Sequence, residues 1–535
     1  MNALLIYPQF PETFWSFKHA LKFLGKRAAQ PPLGLMTVGA LLPQTWKKRL
    51  VDTNVERLRE RDLKWADVAL VSGMHIQHES LVQIVERCRA HGLRTVVGGP
   101  IASSLPKDQL KADYVVIGEA ESLIAGLARD LEQGAARDVY QAAERPEMTA
   151  SPLPDLRLIR MKRYSTMTVQ YSRGCPFNCE FCNIIEIYGR RPRTKEVHQV
   201  LAELNQLRAA GWRESVFVVD DNFIGNKPRA KELLKALAEW RKETGANCDF
   251  ITEASLNLAD DRELMQLMKE AGFRSVFLGI ETPDESGLIA SNKLQNTRRN
   301  LLESVAAIQS YGMQVMGGFI LGFDTDREDI FDRMVEFIQK SAIPIAMVGL
   351  LQAMPGTQLF RRLWREGRIV DAGGGNNTGD QLNFVPCMDA ARLVEGYRSV
   401  LKRIYSCEAY YERVKLYLRR AHPKAEKRGP ENYAEREARR RAKSEPKQRW
   451  MTAENMRALA HSIVRQGIFG RHRWSYWKFL ASAVTRYRRC FGAAMTLAVM
   501  GHHFQVMTRK LSKALDEAKL PGAVEQSAPE PASGE

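Results

Sequence analysis

The sequence predicts an α/β protein built from two successive strand–helix series and a helical C-terminal region. Short apolar runs alternate with helix-like stretches through about the first 365 residues, which is typical of parallel sheets covered by helices. A chain of 535 residues is too long for one compact core, so we expect two or three domains. After about residue 370 the strand pattern ends and helical, charged stretches follow.

The first series occupies residues 1–145 and predicts a Rossmann-like domain with helices on both faces of a parallel sheet. Its predicted strands are 3–7, 49–52, 68–72, 95–98 and 114–117. In open α/β sheets a ligand binds at the carboxyl ends of the strands, where glycine lets a large ligand approach the backbone. The candidate residues at this edge are Ser72, Gly73, Met74, His75, Gly98, Gly99, Pro100, Gly118 and Glu119.

A proline-containing linker over residues 146–165 separates this domain from a second series over residues 166–370. The second series has predicted strands at 168–172, 215–220, 249–253, 275–279, 314–321 and 346–351. Six strand–helix units predict a partial (β/α)6 TIM-like barrel, in which chemistry takes place at the C-terminal ends of the strands.

Residues 371–515 are predicted to form a helical C-terminal domain that contains a basic segment at 421–450. The last residues, 516–535, are predicted to be a disordered tail. The net charge of +17 is concentrated after about residue 400, and Arg471, Arg473, Trp474, Trp477 and Lys478 mix basic and aromatic side chains. Such a face can lie on a membrane surface, but a helix that covers the barrel opening is the favoured alternative. No recognition motif for nucleic acid is found.

The eight cysteines indicate a reducing compartment with one metal site, because three of them lie within eight residues and five are scattered. The start of the chain has no basic region followed by a long apolar run, so no signal peptide is predicted. We therefore expect a cytoplasmic protein. It would be peripheral to the membrane if the basic and aromatic face at residues 471–478 contacts a bilayer.

The cysteine group has the spacing CxxxCxxC, formed by Cys175, Cys179 and Cys182. Three thiolates on a short loop can each bind one iron of a cubane cluster, which leaves the fourth iron open to another ligand. The alternative is a structural zinc site, but zinc generally takes four ligands, and no histidine or fourth cysteine lies close in sequence. Phe177 and Phe181 are expected to shield the cluster.

Over roughly residues 1–510 the chain resembles the cobalamin-binding radical S-adenosylmethionine (SAM) proteins, often called class B methylases, and is similar to the hopanoid methylases. The part after residue 370 resembles an uncharacterised C-terminal domain found in a subset of them. The resemblance is carried by the cysteine loop and by residues 31–34, 71–77, 98–100, 118–119, 219–223, 279–283 and 350–355.

The resemblance implies three cofactors: a [4Fe–4S] cluster on the three cysteines, SAM on its open iron, and cobalamin at the edge of the first sheet. The candidate SAM contacts are Phe177, Phe181, Asp220, Asn222, Glu253, Gly279 and Glu281. No Asp-x-His sequence occurs, so no histidine is expected as the lower axial ligand of cobalt. His75 is placed either near the corrin or in a hydrogen bond to backbone.

The expected function is methyl transfer to an unactivated carbon of a lipid-like or other small-molecule substrate. Such an enzyme needs an electron donor such as flavodoxin or ferredoxin. A radical cyclase or rearrangement enzyme with the same cofactors is one alternative, and a non-catalytic cobalamin-binding sensor is the other.

Overall fold

The computed structural model describes residues 1–376, 378–379, 381–421 and 453–517. Its first sheet has six parallel strands in the order β2-β1-β3-β4-β5-β6. The strands are β1 Asn2–Tyr7, β2 Lys47–Asp52, β3 Val68–Ser72, β4 Arg94–Gly98, β5 Tyr114–Ile117 and β6 Val139–Gln141. The chain changes direction across the sheet at β1, so a crevice for a ligand opens beside the ends of β1 and β3.

Helices cover both faces of this sheet, as the sequence predicts. In β1, Leu4 and Ile6 point into one buried apolar cluster, whereas Ala3 and Leu5 point into another, which follows from the two-residue repeat of a strand. The helices in this part of the chain are α1 Lys18–Leu24, α2 Leu33–Leu41, α3 Glu60–Trp65, α4 His78–Ala90, α5 Lys107–Leu110 and α6 Ile124–Gln133. Of these, α1 packs mainly on the C-terminal helices and not on the sheet. Strand β6 was missed from the sequence because it has three residues, of which only Tyr140 is buried.

The second sheet is also parallel and has six strands in sequential order, as a partial barrel requires. These are β7 Met167–Val169, β10 Val216–Val218, β11 Phe250–Ala254, β12 Phe273–Glu281, β13 Gln314–Leu321 and β14 Ile345–Leu350. A short antiparallel pair, β8 Ser172–Arg173 and β9 Arg193–Thr194, lies beside it. The predicted strand 168–172 therefore divides between two sheets.

Helices alternate with the barrel strands. They are α7 Ile184–Tyr188, α8 Val197–Ala209, α9 Lys227–Thr244, α10 Arg262–Ala271, α11 Glu285–Ala290, α12 Leu301–Ser310, α13 Ile330–Ser341 and α14 Gln358–Arg365.

The C-terminal region is helical and shares one apolar core with the barrel. Its described elements are α15 Ala390–Ile404, α16 Cys407–Ala421, α17 Ala453–Ser462, a π-helical turn Ile463–Ile468, α18 Arg473–Thr485 and α19 Phe491–Glu517. Phe14, which follows β1, stacks on Phe504 with ring centroids 5.9 Å apart, so the two ends of the described chain pack together.

Apart from residue 421, the predicted basic segment 421–450 lies outside the described residues, as does the predicted tail beyond residue 517. Within the described ranges, none of the helices combines the length and apolar character that a membrane crossing needs.

Candidate active site

The cysteine loop begins at Gly174, immediately after β8, and α7 returns the chain to β9. Gly174 has φ +93°, and a Cβ there would lie 2.9 Å from the carbonyl oxygens of both Gly189 and Arg191. Only glycine combines this backbone conformation with so close an approach. The Cys175 amide donates to the Gly189 carbonyl at 3.2 Å, so the start of the loop is fixed against its own exit.

Two amide side chains are directed at the thiols of this loop. Asn222 Nδ2 lies 3.6 Å from Cys175 Sγ, and Gln295 Nε2 lies 3.5 Å from Cys179 Sγ. Burial raises the pKa of the Cys182 thiol to about 12. Iron binding must therefore displace its proton, and donors directed at the sulfur atoms favour the thiolate.

The donor set fits a cubane cluster, since three cysteines lie on one loop and amide donors are directed at two of them. Within the described ranges, no group of three or more His, Cys, Asp or Glu side chains is placed to hold one metal ion together. A cubane differs from a single-ion site because each thiolate binds a separate iron.

A buried ion pair that the sequence did not reveal lies beside the loop. Lys293 Nζ is 2.6 Å from Glu281 Oε1, and it lies 5.9 Å from the centre of the Phe181 ring. Burial opposes the charge on Lys293, but Glu281 and the Cys179 thiolate raise the pKa of the ammonium above its usual value. Lys293 and Gln295 belong to a turn after α11, and no local pattern distinguishes them from surface residues.

Glu281 reaches Lys293 through an irregular end of β12. The pairing between β12 and β13 shifts register between Gly279 and Glu281, and Glu281 has φ +67°. Such bulges redirect side chains, and a positive φ in a residue other than glycine costs about 1 to 3 kcal/mol. A Cβ at Gly279 would lie 2.3 Å from Glu281 Oε1, so Gly279 provides the space for this carboxylate.

Asp220 and Asp221 follow β10, and Glu253 lies near the end of β11. These three carboxyl groups have different environments. Asp220 accepts from the Tyr171 and Ser172 amides at 2.7 and 2.8 Å, so it fixes the chain that leads into the cysteine loop. Asp221 accepts from the Gly174 amide at 3.1 Å. Burial, with Asp221 and Asp220 nearby, raises the pKa of Glu253 to about 8. Its carboxylate makes no hydrogen bond to another described residue.

The predicted cobalamin edge brings the ends of β3 and β4 together. Gly99 has φ +84°, and a Cβ there would lie 2.4 Å from Ser72 Oγ and 3.2 Å from the Gly73 carbonyl. Met74 is 49% exposed at this edge, and Pro100 opens the 3-10 turn that follows β4. Gly99 therefore lets the chain after β4 approach the chain after β3 closely.

His75 is directed at a loop from the C-terminal region. Its Nε2 donates to the Gly373 carbonyl at 2.8 Å, whereas its Nδ1 is buried without a hydrogen-bond partner among the described residues. Burial lowers its pKa, so the ring is neutral. The hydrogen bond to backbone matches one of the two placements expected for this residue.

A buried ion network joins the cobalamin edge to the cysteine loop. Glu119, one residue after Gly118, pairs with Arg173 at 2.6 Å and also with Arg193. Glu121 pairs with Arg173 at 2.8 Å. Because Arg173 directly precedes Gly174, the first domain is tied to the base of the loop.

The two aromatic residues of the cysteine loop are partly covered. Phe181 packs on Phe323 with ring centroids 6.2 Å apart, and Phe177 is half-buried within the loop. The roles of the predicted cobalamin and SAM contacts stay predictions, because the structure contains neither molecule.

The fold and the thiol loop define a protein with one α/β ligand domain and one barrel for a metal cluster. The sequence matches the B12 binding domain over residues 27–128 and the Radical SAM superfamily over residues 169–338. Residues 357–517 match a domain of unknown function, DUF4070.

Two curated relatives align over nearly the whole chain. An uncharacterized methyltransferase of Synechocystis sp. is 41% identical over 94% of this chain and 91% of its own length. The hopanoid C-2 methylase of Rhodopseudomonas palustris is 35% identical over 96% of this chain and 94% of its own. The chain therefore belongs to the cobalamin-binding radical SAM family. It is a radical SAM enzyme whose cofactors are a [4Fe–4S] cluster, SAM and cobalamin.

Solved structures have the same fold at low identity. The cobalamin-dependent SAM radical enzyme OxsB with aqua-cobalamin bound is 15% identical and has a TM-score of 0.61, covering 96% of this chain and 80% of its own. The methyltransferase TsrM from Kitasatospora setae, with cobalamin and a [4Fe-4S] cluster, is 17% identical with a TM-score of 0.56. That match covers 74% of this chain and 85% of TsrM.

Proposed function

We propose that this enzyme transfers a methyl group to an unactivated carbon of a lipid-like small molecule. The observation that carries the proposal is the pairing of Arg173 with Glu119 and Glu121, which ties the predicted cobalamin edge to the cysteine loop. Methyl transfer needs a methyl carrier and an activated substrate carbon at one place, so the two cofactor loops must be held together.

When bound, the cluster supplies an electron for cleaving SAM, and cobalamin supplies the methyl carrier. Cys175, Cys179 and Cys182 would hold the cluster, with Asn222 and Gln295 donating to two of the sulfur atoms. The ends of β3, β4 and β5 would hold cobalamin.

The charges near the loop match the ends of an amino acid such as the methionine part of SAM. Glu253 offers a carboxyl group without a hydrogen-bond partner among the described residues, and a bound ammonium group would favour its ionised form. Lys293, which pairs with Glu281, offers an ammonium group that suits the carboxylate of the methionine part. Burying these charges away from water strengthens each contact.

The lipid-like substrate follows from the hopanoid C-2 methylase among the relatives, and a hopanoid is the first molecule to test. We also propose an external electron donor such as flavodoxin or ferredoxin, and peripheral contact of the basic C-terminal region with a membrane.

Anaerobic reconstitution with iron, sulfide and hydroxocobalamin, followed by reduction with SAM present, tests the proposal. Both 5′-deoxyadenosine and S-adenosylhomocysteine should form, and a substrate should gain the mass of one methylene group. Cys175→Ala should abolish 5′-deoxyadenosine, whereas Cys387→Ala, an exposed cysteine outside the loop, should leave it unchanged.

Three results would contradict the proposal. A product of unchanged mass would indicate a cyclase or rearrangement enzyme. Formation of 5′-deoxyadenosine without S-adenosylhomocysteine would remove the support for methyl transfer. Absence of both products in protein with a verified cluster would favour the cobalamin-binding sensor.

A further inference from the structure

The turn between α17 and α18 exposes apolar side chains that the other described residues do not cover. Phe469 is 81% exposed, Trp474 is 71% exposed and Ile468 is 52% exposed. A contiguous exposed apolar patch on a protein surface generally marks a place of interaction. We call residues 464–478 the apolar turn.

The apolar turn is firmly built, so its exposed rings are not the result of a loose loop. Trp477 Nε1 donates to the Gly467 carbonyl at 3.0 Å, and the Phe469 amide donates to the Val464 carbonyl at 3.1 Å. Beneath them, Gln466 Nε2 donates to Ser462 Oγ at 3.0 Å. Backbone and buried side chains thus hold Phe469 and Trp474 outward.

Positive charge surrounds these rings. Arg465, Arg471, Arg473 and Lys478 are exposed on the same turn, and the Arg473 guanidinium lies 5.9 Å from the centre of the Trp474 ring. From residue 455 to residue 515 the sequence contains eleven lysines and arginines and no aspartate or glutamate. Among the described residues, Glu408 on α16 is an acid that Ser475 contacts, at 3.1 Å.

We propose that the apolar turn inserts Ile468, Phe469 and Trp474 into the surface of an anionic lipid bilayer. Aromatic rings and a branched alkyl side chain enter the boundary between headgroups and acyl chains, while arginine and lysine remain at the headgroups. The absence of acids over this long stretch complements negatively charged lipid. A surface for another protein would be expected to mix both signs of charge at its rim.

This inference deepens the membrane contact named under the proposed function, and it rests on the proposed methyl transfer only for its purpose, which is to bring the enzyme to a lipid-like substrate. Binding to a bilayer needs neither SAM nor a reductant. Failure of vesicle binding therefore leaves the assay for methyl transfer intact, and failure of that assay leaves vesicle binding intact.

Flotation of the full-length holoenzyme with vesicles tests the proposal. Vesicles of phosphatidylglycerol mixed with phosphatidylcholine should carry the protein, and pure phosphatidylcholine vesicles should carry at least tenfold less. Phe469→Gln with Trp474→Gln should reduce binding to the anionic vesicles at least tenfold, and Arg471→Glu with Arg473→Glu should do the same.

The matched control is Val385→Gln, which removes a side chain that is 55% exposed but lies outside the apolar turn. It should leave vesicle binding unchanged. Because all the altered side chains are exposed, each variant should keep the circular dichroism spectrum and thermal midpoint of the parent.

Equal binding of the parent and the Phe469→Gln/Trp474→Gln variant would overturn the proposal, as would equal binding to neutral and anionic vesicles. Binding of a single-stranded RNA homopolymer that is lost with the arginine changes, without vesicle binding, would assign the face to nucleic acid instead. A parent that is dimeric by light scattering, with a monomeric double-glutamine variant and no vesicle binding, would assign it to a second copy.

Discussion

Glu121 and Arg173 form a two-bond ion pair across the boundary between the first sheet and the cysteine loop. Arg173 Nη2 lies 2.8 Å from Glu121 Oε1, and Nη1 lies 3.0 Å from Oε2. Parallel bonds of this kind fix the orientation of both groups. The arginine also contacts Glu119, which pairs with Arg193 as well, so two guanidinium groups balance two buried carboxylates.

Replacing this guanidinium should destabilise the protein and loosen both cofactor loops. Arg173→Met leaves Glu119 and Glu121 without their shared partner, and breaking a buried ion pair from one side costs about 3 to 5 kcal/mol. Arg173→Lys retains the charge but not the two-bond geometry, so it should lose less stability than Arg173→Met. Urea unfolding with measurement of bound iron and cobalamin checks this order. Equal unfolding free energies in the two variants and the parent would disprove the role of the pair.

The cysteine loop should not tolerate a side chain at Gly174. Gly174→Ala adds a Cβ that meets two carbonyl oxygens at 2.9 Å, so the loop must move away from α7 and the thiols must separate. Gly211→Ala is the matched control because Gly211 has a similar φ of +90° and open space around it.

Both alanine variants should lose about 1 to 2 kcal/mol from the backbone conformation alone. Only Gly174→Ala should also lose iron after reconstitution, as measured by iron content and the visible absorption of the cluster. Normal iron content in Gly174→Ala would mean that the contact with the Gly189 and Arg191 carbonyls is dispensable.

The order of elements could be predicted because it depends on local patterns. Strands 68–72, 114–117 and 314–321 have the predicted bounds, since each is a continuous apolar run closed by a glycine or a polar residue. Strand β6 was too short and too exposed for such a pattern. The break between strands β7 and β8 at residues 170–171 depends on Asp220. This residue is about 50 positions away in sequence and accepts a hydrogen bond from the Tyr171 amide.

The site could be predicted only where its chemistry lies in one short motif. The three cysteines were predicted from their spacing. Asn222 was predicted as a SAM contact, and the structure directs its amide at the Cys175 thiol. Arg173, Lys293 and Gln295 were missed because their partners are distant in sequence. The fold places the ammonium group of Lys293 near Cys179, and no spacing of residues in the sequence predicts this proximity.

Stability of the SAM-free protein should depend on pH through Glu253. The pKa of this carboxyl is raised to about 8 by burial and by its acidic neighbours, so folding favours its protonated form. The folded chain then holds more protons than the unfolded chain from about pH 4, the unfolded value, up to about pH 8, and stability falls across this window as the pH rises.

The free energy of unfolding of Glu253→Gln should therefore increase relative to that of the parent as the pH rises from about 4 to about 8. Above about pH 8 the difference between the two proteins should stay constant. The affinity of Glu253→Gln for SAM should fall because the carboxylate is lost. Lys231 lowers the pKa of the exposed Glu263 carboxyl, so Glu263 adds stability as the pH rises. Glu263→Gln is therefore the control, because it should lose stability relative to the parent as the pH rises. Urea unfolding at several pH values measures both, and a gain for Glu253→Gln that is independent of pH would refute the assignment.

The final prediction concerns the loop that reaches His75 from the C-terminal region. This loop also contacts the end of the barrel, where Asn383 Oδ1 accepts from the Ala353 amide at 3.0 Å. A Cβ at Gly375, which has φ +69°, would lie 2.8 Å from His75 Cδ2. Gly375→Ala should therefore separate the loop from the histidine and leave Nε2 buried without its acceptor, at a cost of about 1 to 3 kcal/mol.

Gly374→Ala provides the control in the adjacent residue, because a Cβ there meets nothing within 4 Å. Since His75 follows β3 at the predicted cobalamin edge, Gly375→Ala should retain less cobalamin after gel filtration and should be cut faster by protease near residue 375. Gly374→Ala should match the parent in both measurements. Equal cobalamin retention in the two variants would mean that the loop packs against the first domain without supporting cobalamin binding.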